Sequence, residues 1–171
     1  ILPKDRIEAK SKKENVDYKK LIASGNCFAE GEEVIDYGFV ERWILGLEEK
    51  YGVEVMQVGY DRYNAISTVQ KLEANSMECV EVKQHSSVLH PPTKLLREAI
   101  LKKEFAYDEN RLLEINFQNA RCTEDTNLNK YVNKKRSAGK VDMVVSIIIA
   151  VYLMQQAMLD NSELDWGIQV I

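Results

Sequence analysis

Much of the usual catalytic inventory is missing from this 171-residue sequence. Histidine occurs only at His85 and His90, and the three cysteines, Cys27, Cys79 and Cys122, lie far apart without a CxxC pair. That argues against a zinc centre. An odd number of scattered thiols fits a reducing compartment in which they pack as small apolar groups. No glycine-rich phosphate loop occurs, so the chain carries no ATP site of the P-loop kind. Ser86 and Ser87 lie between the two histidines, but neither a nucleophile elbow nor an orienting carboxylate accompanies them, which argues against serine-type catalysis.

Long apolar runs are scarce too. The opening Ile1-Leu2-Pro3-Lys4-Asp5-Arg6 turns charged after two apolar residues and does not read as a secretion signal. The run from Met143 to Met154 is strongly apolar, yet shorter than the ~20 residues a membrane span needs. It opens at Asp142 and reads as a buried core helix. Repeats, low-complexity tracts and Pro/Gly-rich linkers are lacking, so residues 1–171 are expected to form one domain. Hydrophobic residues make up 45% and charged residues 29% of the chain, as in ordinary soluble globular proteins. The net charge of -4 gives no general affinity for nucleic acid, so any DNA-binding face has to be local.

What is present reads as alternating helix and strand. The charged stretch to Ser24 predicts two short surface helices anchored by Ile7, Val16, Leu21 and Ile22, ended at Gly25-Asn26. Asp36 is a candidate N-cap for a helix with the apolar stripe Phe39, Val40, Trp43, Ile44 and Leu47, closed at Gly52. Val53 to Tyr60 reads as a strand, Tyr63 to Asn75 as a helix and Cys79 to Val82 as a second strand, which together make a parallel α/β unit. Pro91-Pro92 marks the start of another helix. Thr126-Asn127-Leu128-Asn129 marks a hairpin turn.

Two acids stand out by position. Asp61 follows a parallel strand at its C-terminal end, where open α/β sheets build their sites. Asp142 opens the apolar helix among Val141, Met143, Val144 and Val145, flanks that suggest a sheltered surface. Both also fit plain helix capping. The alternative is divalent-metal phosphodiester chemistry, in which hard cations take carboxylate oxygens and keep several waters. Such a site usually needs three or four carboxylates. Just ahead of Asp142 lie Lys130, Lys134, Lys135, Arg136 and Lys140, interleaved with Tyr131, Asn133 and Gly139. With Thr123, Asn127 and Asn129 they fit either a phosphate-contacting hairpin and loop or a solvated charged loop.

The order Asp5-Arg6-Ile7-Glu8, Val34-Ile35-Asp36-Tyr37, Tyr60-Asp61-Arg62-Tyr63-Asn64-Ala65, Pro92-Thr93-Lys94 and Lys140-Val141-Asp142-Met143-Val144-Val145 resembles the large subunits of tailed-phage terminases. The resemblance runs over residues 1–159 and leaves 160–171 as a tail. It implies an α/β fold of ribonuclease H-like type, a mixed sheet flanked by helices. It also implies a two-metal endonuclease, using Mg²⁺ or Mn²⁺, that cuts concatemeric viral DNA. By motif match Asp61 and Asp142 are its metal-binding catalytic residues. Lys134, Lys135, Arg136 and Arg62 are its DNA contacts, and Asp125 is a possible acidic neighbour. The family's first metal-binding aspartate, on the first strand, would lie upstream of Ile1, as would the second and third strands and the ATPase domain. The expectation is therefore a chain that lacks its first strands and is inactive alone. Implied partners are double-stranded viral DNA, the terminase small subunit, the portal protein and the upstream ATPase domain of the same polypeptide, in the host cytoplasm and away from any membrane. A non-catalytic DNA- or portal-binding module, or a related transposase or resolvase, is the alternative.

Overall fold

Charged residues dominate the first two dozen positions, and they fold into short helices with few anchors. The computed structural model describes residues 1–160 and, in the backbone, Gln169–Val170. A 3-10 turn at Lys4–Arg6 leads into α1 (Ile7–Glu14), which Asn15 closes in a left-handed conformation, and then α2 (Tyr18–Ala23). The Asp17 carboxylate caps α2 by accepting from the Lys20 N–H at 3.0 Å. Tyr18 and Leu21 are the buried anchors of α2.

The helix expected after Asp36 forms in two pieces, α3 (Tyr37–Leu45) and α4 (Leu47–Tyr51), because Gly46 interrupts it. Asp36 caps α3 through the Gly38 N–H at 2.8 Å, and Gly52, at φ 66, closes α4, as the sequence suggests. α5 (Ile66–Ala74) packs on α3 and begins three residues later than expected. Glu41 of α3 is buried, and its carboxylate accepts from Lys71 Nζ at 2.9 Å and Thr68 Oγ1 at 3.2 Å. A buried carboxylate is tolerable only with such partners. These elements make one compact unit, Ile1–Met56 with Ala65–Glu78.

The second unit comprises Gln57–Asn64 with Cys79–Ile171. Its first strand, β1, is only Val58–Tyr60, not the longer run from Val53. Upstream, the Val55 N–H donates to Glu48 Oε1 at 2.9 Å instead of joining a ladder. β1 pairs in parallel with β2 (Cys79–Glu81), Gly59 opposite Val80, and the Val82 N–H extends the pairing to the Tyr60 carbonyl at 2.8 Å. Next come α6 (Ser86–Lys102), β3 (Ala106–Tyr107), α7 (Arg111–Asn119), the antiparallel hairpin β4 (Cys122–Glu124) with β5 (Lys130–Val132), and α8 (Asp142–Asp160). The hairpin turn lies where the sequence placed it. Pro91 and Pro92 do not start α6 but sit inside it, a turn and a half from the His85 cap. Interior prolines cost a helix about 3 kcal/mol. Complete burial of Pro92 in the packing of α6 offsets part of that cost.

α8 holds this unit together. By length and composition alone it could cross a membrane. Its Val144, Val145, Ile148, Ile149, Val151 and Leu153 are buried, in one core with Val82, Leu89, Leu96, Val132 and Val141. α8 packs on α6, α7 and β1. Most of the tail expected over 160–171 lies outside the described residues. Within it, Gln169–Val170 pairs in parallel with β3 as β6.

Candidate functional site

The start of α8 is built by α7. α7 is capped by Asn110, whose Oδ1 accepts from the Leu113 N–H at 3.0 Å, and its inner face carries Leu113 and the buried polar Asn116. Asn116 Oδ1 accepts the Met143 N–H at 3.2 Å, while its Nδ2 donates to the Leu112 carbonyl at 2.9 Å. One turn on, Asn119 Nδ2 donates to the Lys140 carbonyl at 3.2 Å, and the Asn119 carbonyl accepts from the Ala138 N–H at 3.0 Å. Two asparagines of one helix thus fix the chain on both sides of Asp142. A first-turn N–H of α8 is satisfied by Asn116, so the Asp142 carboxylate is not what meets it.

That carboxylate points outward. Its side chain is 66% exposed, against the sheltered setting expected from its apolar neighbours. Val141, Val144 and Val145 turn inward at helical spacing, which leaves residue 142 on the opposite side of the first turn. Lys134 Nζ lies 3.5 Å from Asp142 Oδ1, and both side chains are more than half exposed. Such a pair contributes about 0–1 kcal/mol.

Lys134 belongs to a turn organised by Asn133. Asn133 Oδ1 accepts from the N–H groups of Lys135 at 3.0 Å and Arg136 at 3.3 Å, and its Nδ2 donates to Thr123 Oγ1 at 3.2 Å. The basic segment is therefore fastened to the hairpin, with Lys134, Lys135 and Arg136 exposed on it. Between it and α8 lies an open recess of about 410 Å³ bordered by Gln84, Tyr131, Asn133, Lys134, Lys135 and Val145.

Asp61 and Arg62 are both exposed and follow directly on β1, at the C-terminal end of the parallel pair. Asp61 Oδ1 accepts from the Tyr63 N–H at 3.3 Å, which makes a local turn, not a cap on α5, whose cap position is Ala65. β1 itself rests on α8: a Cβ at Gly59 would meet Ile149 Cγ2 at 2.4 Å. Glycine is required there because strand and helix approach this closely.

Asp125 is engaged within the hairpin turn. Its Oδ1 accepts from the N–H groups of Asn127 at 2.8 Å and Asn129 at 2.9 Å, and its Oδ2 accepts from Ser86 Oγ at 2.6 Å and Asn129 Nδ2 at 3.0 Å. The Ser86 hydroxyl, followed by the Asn129 groups, holds this carboxyl well below the usual carboxylate range. It locks the hairpin turn. Among the described residues no three His, Cys, Asp or Glu side chains gather in a group able to hold a metal ion. Two carboxylates do not hold an ion pair by themselves, but one or two suffice where substrate phosphate and water complete the coordination of Mg²⁺.

Comparison with known proteins decides the family. Residues 1–158 match the family described as the terminase large subunit, endonuclease domain. The chain belongs to that family. The crystal structure of the HK97 bacteriophage large terminase superposes with a TM-score of 0.79 at 19% identity, over 88% of this chain and 32% of that one. At that identity the likeness speaks for the fold alone, an α/β fold shared with that terminase. The chain spans about a third of the length of that terminase. No curated protein matches it.

Asn116, Asn119 and Asn133 were the residues hardest to find by sequence. The first did leave a signal: a polar residue three positions after Leu113 on the apolar face of α7. Asn133 lies in the basic segment, which fitted either a phosphate-contacting hairpin or a solvated loop, and its amide is occupied in shaping the turn.

Proposed function

We propose that this terminase domain cuts double-stranded viral DNA by metal-dependent phosphodiester hydrolysis, with Asp61 and Asp142 as two of its metal-binding carboxylates. The observation that carries the reading is the start of α8. Asn116 meets the Met143 N–H, and the Asp142 carboxylate is presented outward beside a basic segment. Asp61 directly follows the strand packed against the same helix. When bound, one or two Mg²⁺ or Mn²⁺ ions would activate the attacking water and stabilise the leaving oxygen.

The chain's own groups do the positioning. Lys134, Lys135 and Arg136 would hold phosphates over the recess, with Arg62 beside Asp61, and such contacts set position without reading sequence. Lys134 would exchange its pairing with Asp142 for a phosphate as DNA and metal arrive, at small cost because the pair is exposed. Within a complete large subunit the domain would work with an ATPase domain, the small subunit and the portal protein in the host cytoplasm.

The test is conversion of supercoiled plasmid to nicked and linear forms by a full-length large subunit carrying this domain. Asp61→Asn and Asp142→Asn should each abolish Mn²⁺-dependent cutting while leaving the thermal transition in place. Undiminished cutting by either variant refutes the assignment. DNA binding without any cutting by the unaltered protein favours the alternative of a non-catalytic DNA- or portal-binding module.

A further inference from the structure

The tip of the β4–β5 hairpin holds a residue that local physics disfavours. Leu128 stands at φ 63 and is 70% exposed, in the otherwise polar turn Thr126-Asn127-Leu128-Asn129. Among the described residues Asn15, Asn64, Ser76, Lys103 and Leu128 are the non-glycine residues in the left-handed region. Glycine and asparagine tolerate that region best. Asn15 and Lys103 are there to close α1 and α6. Leu128 alone among the five carries a branched apolar side chain, at a turn position where Gly or Asn is the usual occupant.

The turn that presents it is clamped. Besides the four hydrogen bonds to the Asp125 carboxylate, the Leu128 N–H donates to the Asp125 carbonyl at 3.0 Å. α6 grips the hairpin at two points: Ser86 Oγ donates to Asp125, and His90 Nδ1 accepts from the Lys130 N–H at 2.8 Å. Leu128 therefore projects from a fixed frame. The charge around it suits a polyanion. Residues 121–140 carry six basic and two acidic side chains, a net +4 in a chain of net -4. Of the two acids, Asp125 is committed to the turn and Glu124 pairs with Lys130 at 3.1 Å.

We propose that Leu128 is an apolar wedge that the hairpin inserts between stacked bases of the duplex held by the basic segment. The proposal rests on the DNA-cutting reading above and adds a residue that acts on the shape of the DNA. Apolar side chains driven into a base step partly unstack it and kink the duplex, provided that phosphate contacts alongside support the distortion. β5, Lys130–Val132, separates Leu128 from Lys134, a reach of at most about 20 Å. The kink would thus fall a fixed distance from the phosphates that Lys134 meets beside Asp142.

The experiment uses the 171-residue chain with a duplex carrying 2-aminopurine at its central pyrimidine–purine step, read by fluorescence and by anisotropy across a salt series. The unaltered chain should bind and raise the 2-aminopurine signal. Leu128→Gly relieves the backbone, so it should fold at least as well, yet bind about tenfold more weakly and lose the signal with an unchanged salt slope. Lys134→Ala, Lys135→Ala and Arg136→Ala together should instead lower the salt slope. Equal affinity and equal signal for Leu128→Gly overturn the wedge while the charge variant still supports the DNA reading. Loss of self-association without loss of DNA binding makes the tip a protein contact and also overturns it. No binding by the unaltered chain overturns both.

Discussion

Adding one methyl group at Gly59 tests how closely β1 is pressed on α8. An alanine Cβ at this position would lie 2.4 Å from Ile149 Cγ2 and 3.0 Å from Leu153 Cδ1. Carbon atoms rest at about 3.5–4.0 Å, so the nearer contact is roughly 1 Å too short. Ile149 and Leu153 are each 8% exposed, in the middle of the core, and cannot swing into solvent. Overpacking of this kind costs about 1–3 kcal/mol. Alanine also narrows the unfolded ensemble, which returns about 0.4–1 kcal/mol. The net loss is about 1–2 kcal/mol, a fall in Tm of roughly 2–8 °C for a chain of this length. Circular dichroism melts of Gly59→Ala, Ile149→Ala and the double variant measure it. Ile149→Ala removes the clashing methyl, so the double variant should be more stable than the sum of the single losses predicts. An unchanged Tm for Gly59→Ala, or strict additivity in the double variant, refutes the close approach.

The remaining predictions concern charge and anchoring. Asp142→Asn should change the melting temperature little, because the exposed pair with Lys134 contributes at most about 1 kcal/mol, and a large drop would mean that Asp142 is structural. Asn116→Ala leaves the Met143 N–H unpaired beside a buried site, so it should cost about 1–3 kcal/mol in a urea melt; a neutral result would show that α8 is not anchored there. Because the Asp125 carboxyl is held below its unfolded value, its contribution is complete above the ordinary aspartate value of about 4 and is lost only as pH falls through the depressed folded value. Asn127 and Asn129 amides should therefore keep their hydrogen-exchange protection at about pH 4 in the native chain and lose it in Asp125→Ala.

The elements legible in the sequence were those with a local cause. Asp36 and Gly52 are terminal signals that act within a turn of themselves, and the hairpin at Thr126–Asn129 and the opening of α8 at Asp142 are of the same kind. What escaped depended on distant partners. β1 is cut short at Val58 where Glu48 takes up the Val55 N–H, and α6 runs through two prolines where packing buries Pro92. The site divided the same way. Asp61 and Asp142 were chosen by place along the chain. The exposure of Asp142 depends on which side of α8 the core occupies, and its freedom from capping depends on Asn116, twenty-six residues earlier, so neither is written in its neighbours.

The central claim, that Asp61 and Asp142 share a divalent cation, is tested most directly by paramagnetic broadening. Substoichiometric Mn²⁺ is added to the ¹⁵N-labelled chain, and amide signals are followed one by one. Signals of Tyr60–Tyr63 and of Asp142–Val145 should broaden together, and both groups should stay sharp in Asp142→Asn. Broadening of one group alone, or of neither, contradicts the claim.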